Sequence, residues 1–284
     1  MKSFERYLQE HGHTSLTIKG YLYEIGIFLM TNPKSKKYKY KDIINYLNDR
    51  AKNYPKSYTA IRSLASIKKY FDFLIEEGKI EYHPCRTLYL KPGKGHDVIH
   101  QDLFSSEELE LLINREERYK NIELKNRTII SLLIYQGLTG GEITRIKVQH
   151  VNLDSGILYI KASKLLAARH LDIMPNQLEL LYRCVNEMER KGMDNLIIGR
   201  SGKPINQDDV HHIVYTCKSF FSDRNLNPKT IRQSVIANWL NEKKMPLEQV
   251  QLMAGHKWIS STERYRQANP DEQSRLINMW HPLG

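Results

Sequence analysis

At 284 residues the chain is long enough for two domains, each able to bury a core without disulfide or metal staples. Its 43 Lys plus Arg against 32 Asp plus Glu leave a formal charge of +11, which points to a polyanionic partner. No apolar run approaches the roughly 20 residues that span a bilayer, and MKSFERYLQEHG is no signal peptide. The expectation is a soluble, cytoplasmic, nucleoid-associated protein with no membrane partner.

The charge is uneven. Residues 1–100 carry 18 Lys plus Arg against 10 Asp plus Glu, a net +8, which leaves +3 for the rest. A basic face of this kind supplies sequence-independent attraction to nucleic acid that weakens steeply with salt; charge alone is equally compatible with a solvated surface. Three cysteines, Cys85, Cys184 and Cys217, form no CxxC pair, and the adjacent His211 and His212 would point about 100° apart on a helix. No metal and no cofactor is expected.

The first ninety residues read as helices. Leu16, Tyr21, Ile25 and Phe28 recur at helical spacing from Ser15 to Met30, and the basic loop NPKSKKYKYK leads to a second amphipathic segment with Ile43, Ile44, Tyr46 and Leu47. Pro55 opens a third, with Ile61, Leu64, Ile67, Phe71 and Leu74 on its apolar face and Lys56, Arg62, Lys68 and Lys69 mostly off it. A linker follows at 91–100, where Pro92, Gly93 and Gly95 break helix.

Ser105 and Glu108 have capping-box spacing at the start of a further helix, and RTIISLLIYQGL forms a long apolar one that stops at Gly137. Residues 151–175 change character, with a turn at Asp154–Gly156 and short β-prone runs flanking a lysine-bearing loop, as in a small antiparallel sheet. Helical patterns return at 176–190, 206–222, 228–243, 246–254 and 270–279. The fold class is therefore mainly α with a small antiparallel β-sheet, in a helical domain over 1–90 and a mixed α/β domain over 101–284.

Chemistry concentrates near the carboxy terminus. QVQLMAGHKWISSTERY ends a helix at Gly255, exposes His256 and holds Tyr265 nine residues later; KTIRQ places Arg232 on a helix upstream. Metal-free phosphodiester cleavage needs a nucleophile, fixed positive charge and an acid for the leaving oxygen. Tyr265 suits the first role, the planar fork of Arg232 the second and Lys164, in the loop between the strands, the third. Taken singly, each is as readily a surface or capping residue.

Together, the order Lys164, Arg232, Gly255–His256, Tyr265 resembles the tyrosine recombinase (phage integrase) family. LMAGHKWISSTERY is similar to that family's LLGHxxxxTTxxYxH box, KTIRQ to HxLRH, and KASKLLAAR, with Arg169 five residues after Lys164, to KGxKxR. TIKGYLYEIGIF at 17–28 looks like the opening helix of the family's SAM-like core-binding domain, and SYTAIRSLASIKKYFDFL at 57–74 like its later DNA-facing helix. Nearly the whole chain is covered.

The resemblance implies a two-domain clamp on double-stranded DNA. Tyr265 would form a 3′ phosphotyrosine; Arg232, His256 and Lys229 would bind the non-bridging oxygens and Lys164 would protonate the 5′ oxygen. It further implies a homotetramer on paired DNA sites, with a carboxy-terminal helix over 270–284 exchanged between protomers, and accessory DNA-bending proteins as candidate partners. Lys56, Tyr58, Thr59 and Arg62 on the third helix, with Lys91 and Lys94 in the linker, are the DNA contacts it suggests.

Two positions depart from the family. QGLTGGEI stands for TGLRxxEL, which puts Thr139 where the first catalytic arginine belongs, and Lys229 and Gln233 replace the two histidines of HxLRH. Losing one preorganised charged donor costs on the order of 10²–10³ in rate. Family members on conjugative and mobilisable elements can lack this arginine, which favours integration and excision of such an element; Arg145 is the nearest candidate substitute. A catalytically weak or inactive DNA-binding relative that regulates recombination is the alternative. A type IB topoisomerase would share the chemistry but not the short amino-terminal domain.

Overall fold

The computed structural model describes residues 3–33, 37–53, 57–91, 103–199 and 201–266. The chain divides into two compact units, Met1–His96 and Asp97–Gly284. Among the described residues no helix is long and apolar enough to cross a membrane.

The amino-terminal unit is built from α1 (Phe4–Glu10), α2 (Ser15–Thr31), α3 (Tyr40–Asn53) and α4 (Ser57–Glu76). Ser3 and Thr14 cap α1 and α2 by accepting from the backbone N–H groups of Arg6 and Thr17. Phe28, Ile43, Ile67, Phe71 and Leu74 fill the core, with α2 and α3 laid on α4. Helix α1 has no counterpart in the sequence reading, although Tyr7 and Leu8 are buried. Leu16 also departs from expectation: it is exposed, and Ile18 takes a core position on α2 instead.

The carboxy-terminal unit runs α5 (Ser106–Ile113), α6 (Lys120–Gln136), α7 (Gly140–Ile143), β1 (Val151–Asn152), β2 (Ile157–Ile160), β3 (Arg169–Asp172), α8 (Pro175–Arg190), α9 (Gln207–Tyr215), α10 (Pro228–Asn241), α11 (Leu247–Ala254) and α12 (Ser260–Glu263). The strands form one antiparallel sheet in the order β1-β2-β3, with Leu158 opposite Leu171. Gly156, at φ 65°, makes the tight turn between β1 and β2.

The capping box read at Ser105 and Glu108 is formed in both directions. Helix α6 begins well before the RTIISLLIYQGL segment and ends as expected at Gly137, in the left-handed conformation. The 206–222 pattern is shorter than expected: α9 stops at Tyr215 and a separate 3₁₀ turn covers Lys218–Phe220.

Helix α10 is buried on most sides because it packs against α5, α6, α9 and α11. Asn227 caps it by accepting from the N–H groups of Lys229 and Thr230, and Pro228 supplies the first-turn φ. That fixed start sets Arg232 one turn inside the helix and Lys229 one turn earlier, at its exposed end.

Candidate active site

Arg232 is 8 % exposed, and its guanidinium reaches two main-chain oxygens from different elements. Nη1 donates to the carbonyl of Gly137 at the end of α6, and Nη2 to that of Ala254 at the end of α11, each at 2.6 Å. Both are carbonyls that a helix leaves without an internal partner. A guanidinium has five N–H donors; three of Arg232's are not used in these two bonds. Burial pulls its pKa down, opposed by the charge of Glu142, but a guanidinium stays protonated.

Gly255 follows α11 at φ 70° and turns the chain so that His256 leaves the helix end. The neighbouring β2–β3 connection is tied to this turn. Ala167 N–H donates to the Gly255 carbonyl at 2.9 Å, Leu166 and His256 form an antiparallel bridge, and Lys257 Nζ donates to the Lys164 carbonyl at 2.9 Å. Lys164 is thus held on the loop beside His256, with an exposed side chain.

His256 Nδ1 lies 2.9 Å from Oγ1 of the buried Thr262. Burial, with the charges of Arg232 and Arg169, lowers the His256 pKa to about 4, against the smaller opposing pull of Glu142. The ring is therefore neutral at pH 7. If Nδ1 accepts from Thr262, Nε2 carries the proton and is a donor.

The Tyr265 ring lies parallel to that of His256, with centroids 6.1 Å apart and 18° between planes. Its backbone is pinned from both sides: the N–H donates to Thr262, and the carbonyl accepts from Asn241 Nδ2 at 2.9 Å. The side chain is half-buried against the core. Arg232, His256 and Tyr265 thus share one site, with Lys164 on its adjoining loop and Lys229 one turn from Arg232.

Thr139, at the position of the first family arginine, caps α7. Its hydroxyl accepts from the Glu142 N–H and donates to Glu142 Oε2 at 2.9 Å, while its own N–H also donates to Oε2 at 2.9 Å. Glu142 is 2 % exposed. Its other oxygen, Oε1, accepts from Arg169 Nη1 at 2.7 Å, and Arg169 Nε donates to the Met253 carbonyl at 2.7 Å. Burial pushes the Glu142 carboxyl up, but Arg169, the Thr139 N–H and the charge of Arg232 outweigh it and hold the group below the usual carboxylate range.

Sequence reasoning finds Thr262 and Arg169 in register with the family's boxes but gives them no role, and it misses Glu142. The T-x-x-E spacing of Thr139 and Glu142 was the available signal. Arg145, the suggested substitute cation, is exposed just beyond α7.

The other expected DNA contacts lie in or next to the amino-terminal unit. Tyr58 and Lys91 are exposed, Thr59 is half-buried and Arg62 is bound to Glu24. Lys56, Lys94, most of the linker and the 270–284 segment lie outside the described residues. Among the described residues no three His, Cys, Asp or Glu side chains gather as a metal site would require.

Comparison with known proteins identifies the family and the fold. The model of the phage integrase family matches residues 103–272, and that of the phage integrase N-terminal SAM-like domain matches residues 1–78. A tyrosine recombinase XerC from Natranaerobius thermophilus is 28% identical over 251 residues, covering 85% of this chain and 81% of that protein. A XerC from Staphylococcus carnosus is 24% identical over 289 residues, covering 99% and 95%.

Among solved structures, the XerH site-specific recombinase bound to difH substrate in a pre-cleavage complex aligns with TM-score 0.73 at 18% identity, over 94% of this chain and 80% of that one. The Tn1549 transposon integrase with circular intermediate DNA aligns with TM-score 0.68 at 15% identity, over 96% and 97%. These likenesses establish the shared fold. With both family models matched along its length, the chain belongs to the phage integrase family, the tyrosine recombinases.

Proposed function

We propose that this protein integrates and excises a mobile element by cutting and rejoining double-stranded DNA at specific sites through a 3′ phosphotyrosine. The convergence of Arg232, neutral His256 and Tyr265 on one site carries this reading. The Tyr265 oxygen attacks the scissile phosphorus, the new ester forms at the 3′ side and the bond to the 5′ oxygen breaks. Arg232, with N–H donors to spare, meets the charge that builds on the non-bridging oxygens; His256 and Lys229 assist it.

Lys164 protonates the departing 5′ oxygen from its loop. A phenol with an ordinary pKa near 10 loses its proton during attack or under nearby positive charge. Because the phosphotyrosyl ester retains the energy of the broken linkage, rejoining to a new 5′ hydroxyl needs neither nucleotide nor metal. Paired sites and two rounds of exchange call for four protomers, and XerH and lambda integrase have been captured on DNA, the latter as a tetramer on a Holliday junction. Thr139 supports the mobile-element assignment, since relatives on such elements can lack the first arginine.

The test is a nicked suicide duplex made from the DNA flanking the gene's element, incubated with parent protein and with Tyr265→Phe, then run on a denaturing gel. A covalent adduct that only the parent forms is expected. If the parent binds this DNA and forms no adduct, with or without accessory proteins, the protein is a non-cleaving DNA-binding relative. In the host, PCR across the joined ends of an excised circle tests the element assignment; absence of the junction when the parent protein is expressed overturns it.

A further inference from the structure

The cluster around Glu142 contains an arrangement that the catalytic reading leaves unused. A buried carboxylate and two buried guanidiniums share one pocket, yet the carboxylate bonds to only one of them. Glu142 takes Arg169 on Oε1 at 2.7 Å and Thr139 on Oε2 through both its N–H and its hydroxyl, at 2.9 Å each. Arg232 Nη1 stands 4.0 Å from Oε2, beyond hydrogen-bond distance.

Three of the roughly four lone-pair sites of the carboxylate are thus occupied without Arg232. Both ends of the arrangement are fixed by main chain. Arg169 Nε holds the Met253 carbonyl and Arg232 Nη2 the next one, Ala254, so the two guanidiniums grip consecutive carbonyls at the end of α11. At Gly255 a Cβ would lie 2.5 Å from Arg169 Nη1, so only glycine leaves the guanidinium its place. Arg169 Nη2 is buried without a hydrogen-bond partner, a costly state for a charged donor that packing alone does not call for.

We infer that Arg169 and Thr139 act together as positioning residues that keep Glu142 from hydrogen-bonding Arg232, so that the guanidinium donors of Arg232 stay available to a scissile phosphate. The inference rests on the cleavage reading above. It assigns Thr139 a use in place of the missing arginine: the residue brings no cation to the phosphate, but occupies the carboxylate oxygen nearest Arg232. Without Arg169, a buried Glu142 has one remaining guanidinium within reach. A movement of about 1 Å closes that pair, and Arg232 then binds carboxylate instead of phosphate.

The experiment uses the full chain and the same nicked duplex, with adduct formation by the parent protein as the prior condition. Arg169→Gln is expected to slow adduct formation by on the order of 10²–10³, with gel-shift affinity within about threefold of the parent. Adding Glu142→Gln to Arg169→Gln removes the competing carboxylate at unchanged net charge. It is expected to bring the rate back to within about tenfold of the parent.

A double variant as slow as Arg169→Gln overturns the inference, because the charge of Arg169 itself would then be what the reaction needs. Should Arg169→Gln fail to bind DNA or to unfold cooperatively, Thr139→Val decides instead. It removes the hydroxyl bond to the Oε2 oxygen facing Arg232 with little change in volume, leaving only the backbone N–H on that oxygen, and is expected to slow adduct formation about tenfold, with Thr139→Ser restoring it. Parental speed for Thr139→Val overturns the proposal. A parent that forms no adduct defeats the cleavage reading itself, which is a separate outcome.

Discussion

Among the described residues each unit buries one glutamate among arginines and a hydroxyl, and the two clusters are completed differently. In the amino-terminal unit, Glu24, 2 % exposed, accepts from Arg50 on α3, from Arg62 through Nε and Nη2, and from Ser63 Oγ on α4. Burial raises its pKa, but Ser63, Arg50 and Arg62 together hold it below the usual carboxylate range. Both arginines and the serine bond the carboxylate directly, and one carboxylate on α2 fastens three helices. In the carboxy-terminal unit, Glu142 engages one arginine and a threonine and leaves Arg232 at 4.0 Å. A completed cluster is a fastening; an incomplete one holds a charge in reserve.

The contrast breaks first, and by the largest margin, at Arg232. Arg232→Lys keeps the charge but cannot reach the Gly137 and Ala254 carbonyls as a planar fork does. Adduct formation on the nicked duplex should fall by on the order of 10²–10³, about 3–4 kcal/mol of transition-state stabilisation, while single-site binding changes little. Equal losses in binding and adduct formation would place Arg232 among ordinary DNA contacts.

Glu24→Gln should have its effect on stability instead. Removing one partner of a buried pair leaves uncompensated charge, here on Arg50 and the half-exposed Arg62, and costs about 3 kcal/mol. Amide exchange over residues 15–76 should accelerate by roughly two orders of magnitude in a two-state opening. Unchanged protection would mean that Glu24 is no fastening. The same cluster changes what is expected of Arg62, one of the DNA contacts that the resemblance suggests: its guanidinium is half committed to Glu24, leaving Nη1 free of that bond for DNA.

Gly255→Ala comes next. A non-glycine residue at φ 70° costs roughly 1–2 kcal/mol, and the added methyl would overlap the Arg169 guanidinium. Adduct formation should therefore drop by more than the loss in melting temperature accounts for. A variant slowed only in proportion to its lost stability would detach Arg169 from the chemistry.

What was legible in the sequence follows from how local each signal is. The helix start at Ser105, the stop at Gly137, the left-handed turn at Gly255 and the β1–β2 turn are set by neighbours within a few residues, and all appear where their residue types call for them. Tyr265 and His256 were legible through their spacing, which one short helix converts into parallel rings. The clusters were not. Glu142 meets Arg169 across 27 residues and Arg169 meets Met253 across 84, and no periodicity records such pairings. Leu16 failed for a different reason: at about 100° per residue it lies on the face of α2 opposite Ile18 and Ile25, and it is exposed.

The last expected effect concerns His256 and is read in stability alone. Its pKa in the folded protein is about 4, through burial and the charges of Arg232 and Arg169, against about 6.5 in an unfolded chain. Between those values the unfolded state binds a proton that the folded state refuses, so stability falls as pH drops from 6.5 to 4 and levels off below. His256→Gln removes that component. Its melting temperature relative to the parent should rise by about 5–10 °C between pH 7.5 and pH 4.5, since the lowered pKa withdraws about 2–3 kcal/mol over that range at about 2–4 °C per kcal/mol for a domain of this size. By the same reasoning Arg169→Gln, which removes one cation and lets Glu142 neutralise the other, moves the parent's window upward in pH. An unmoved window would mean that Arg169 does not govern the charge felt at His256.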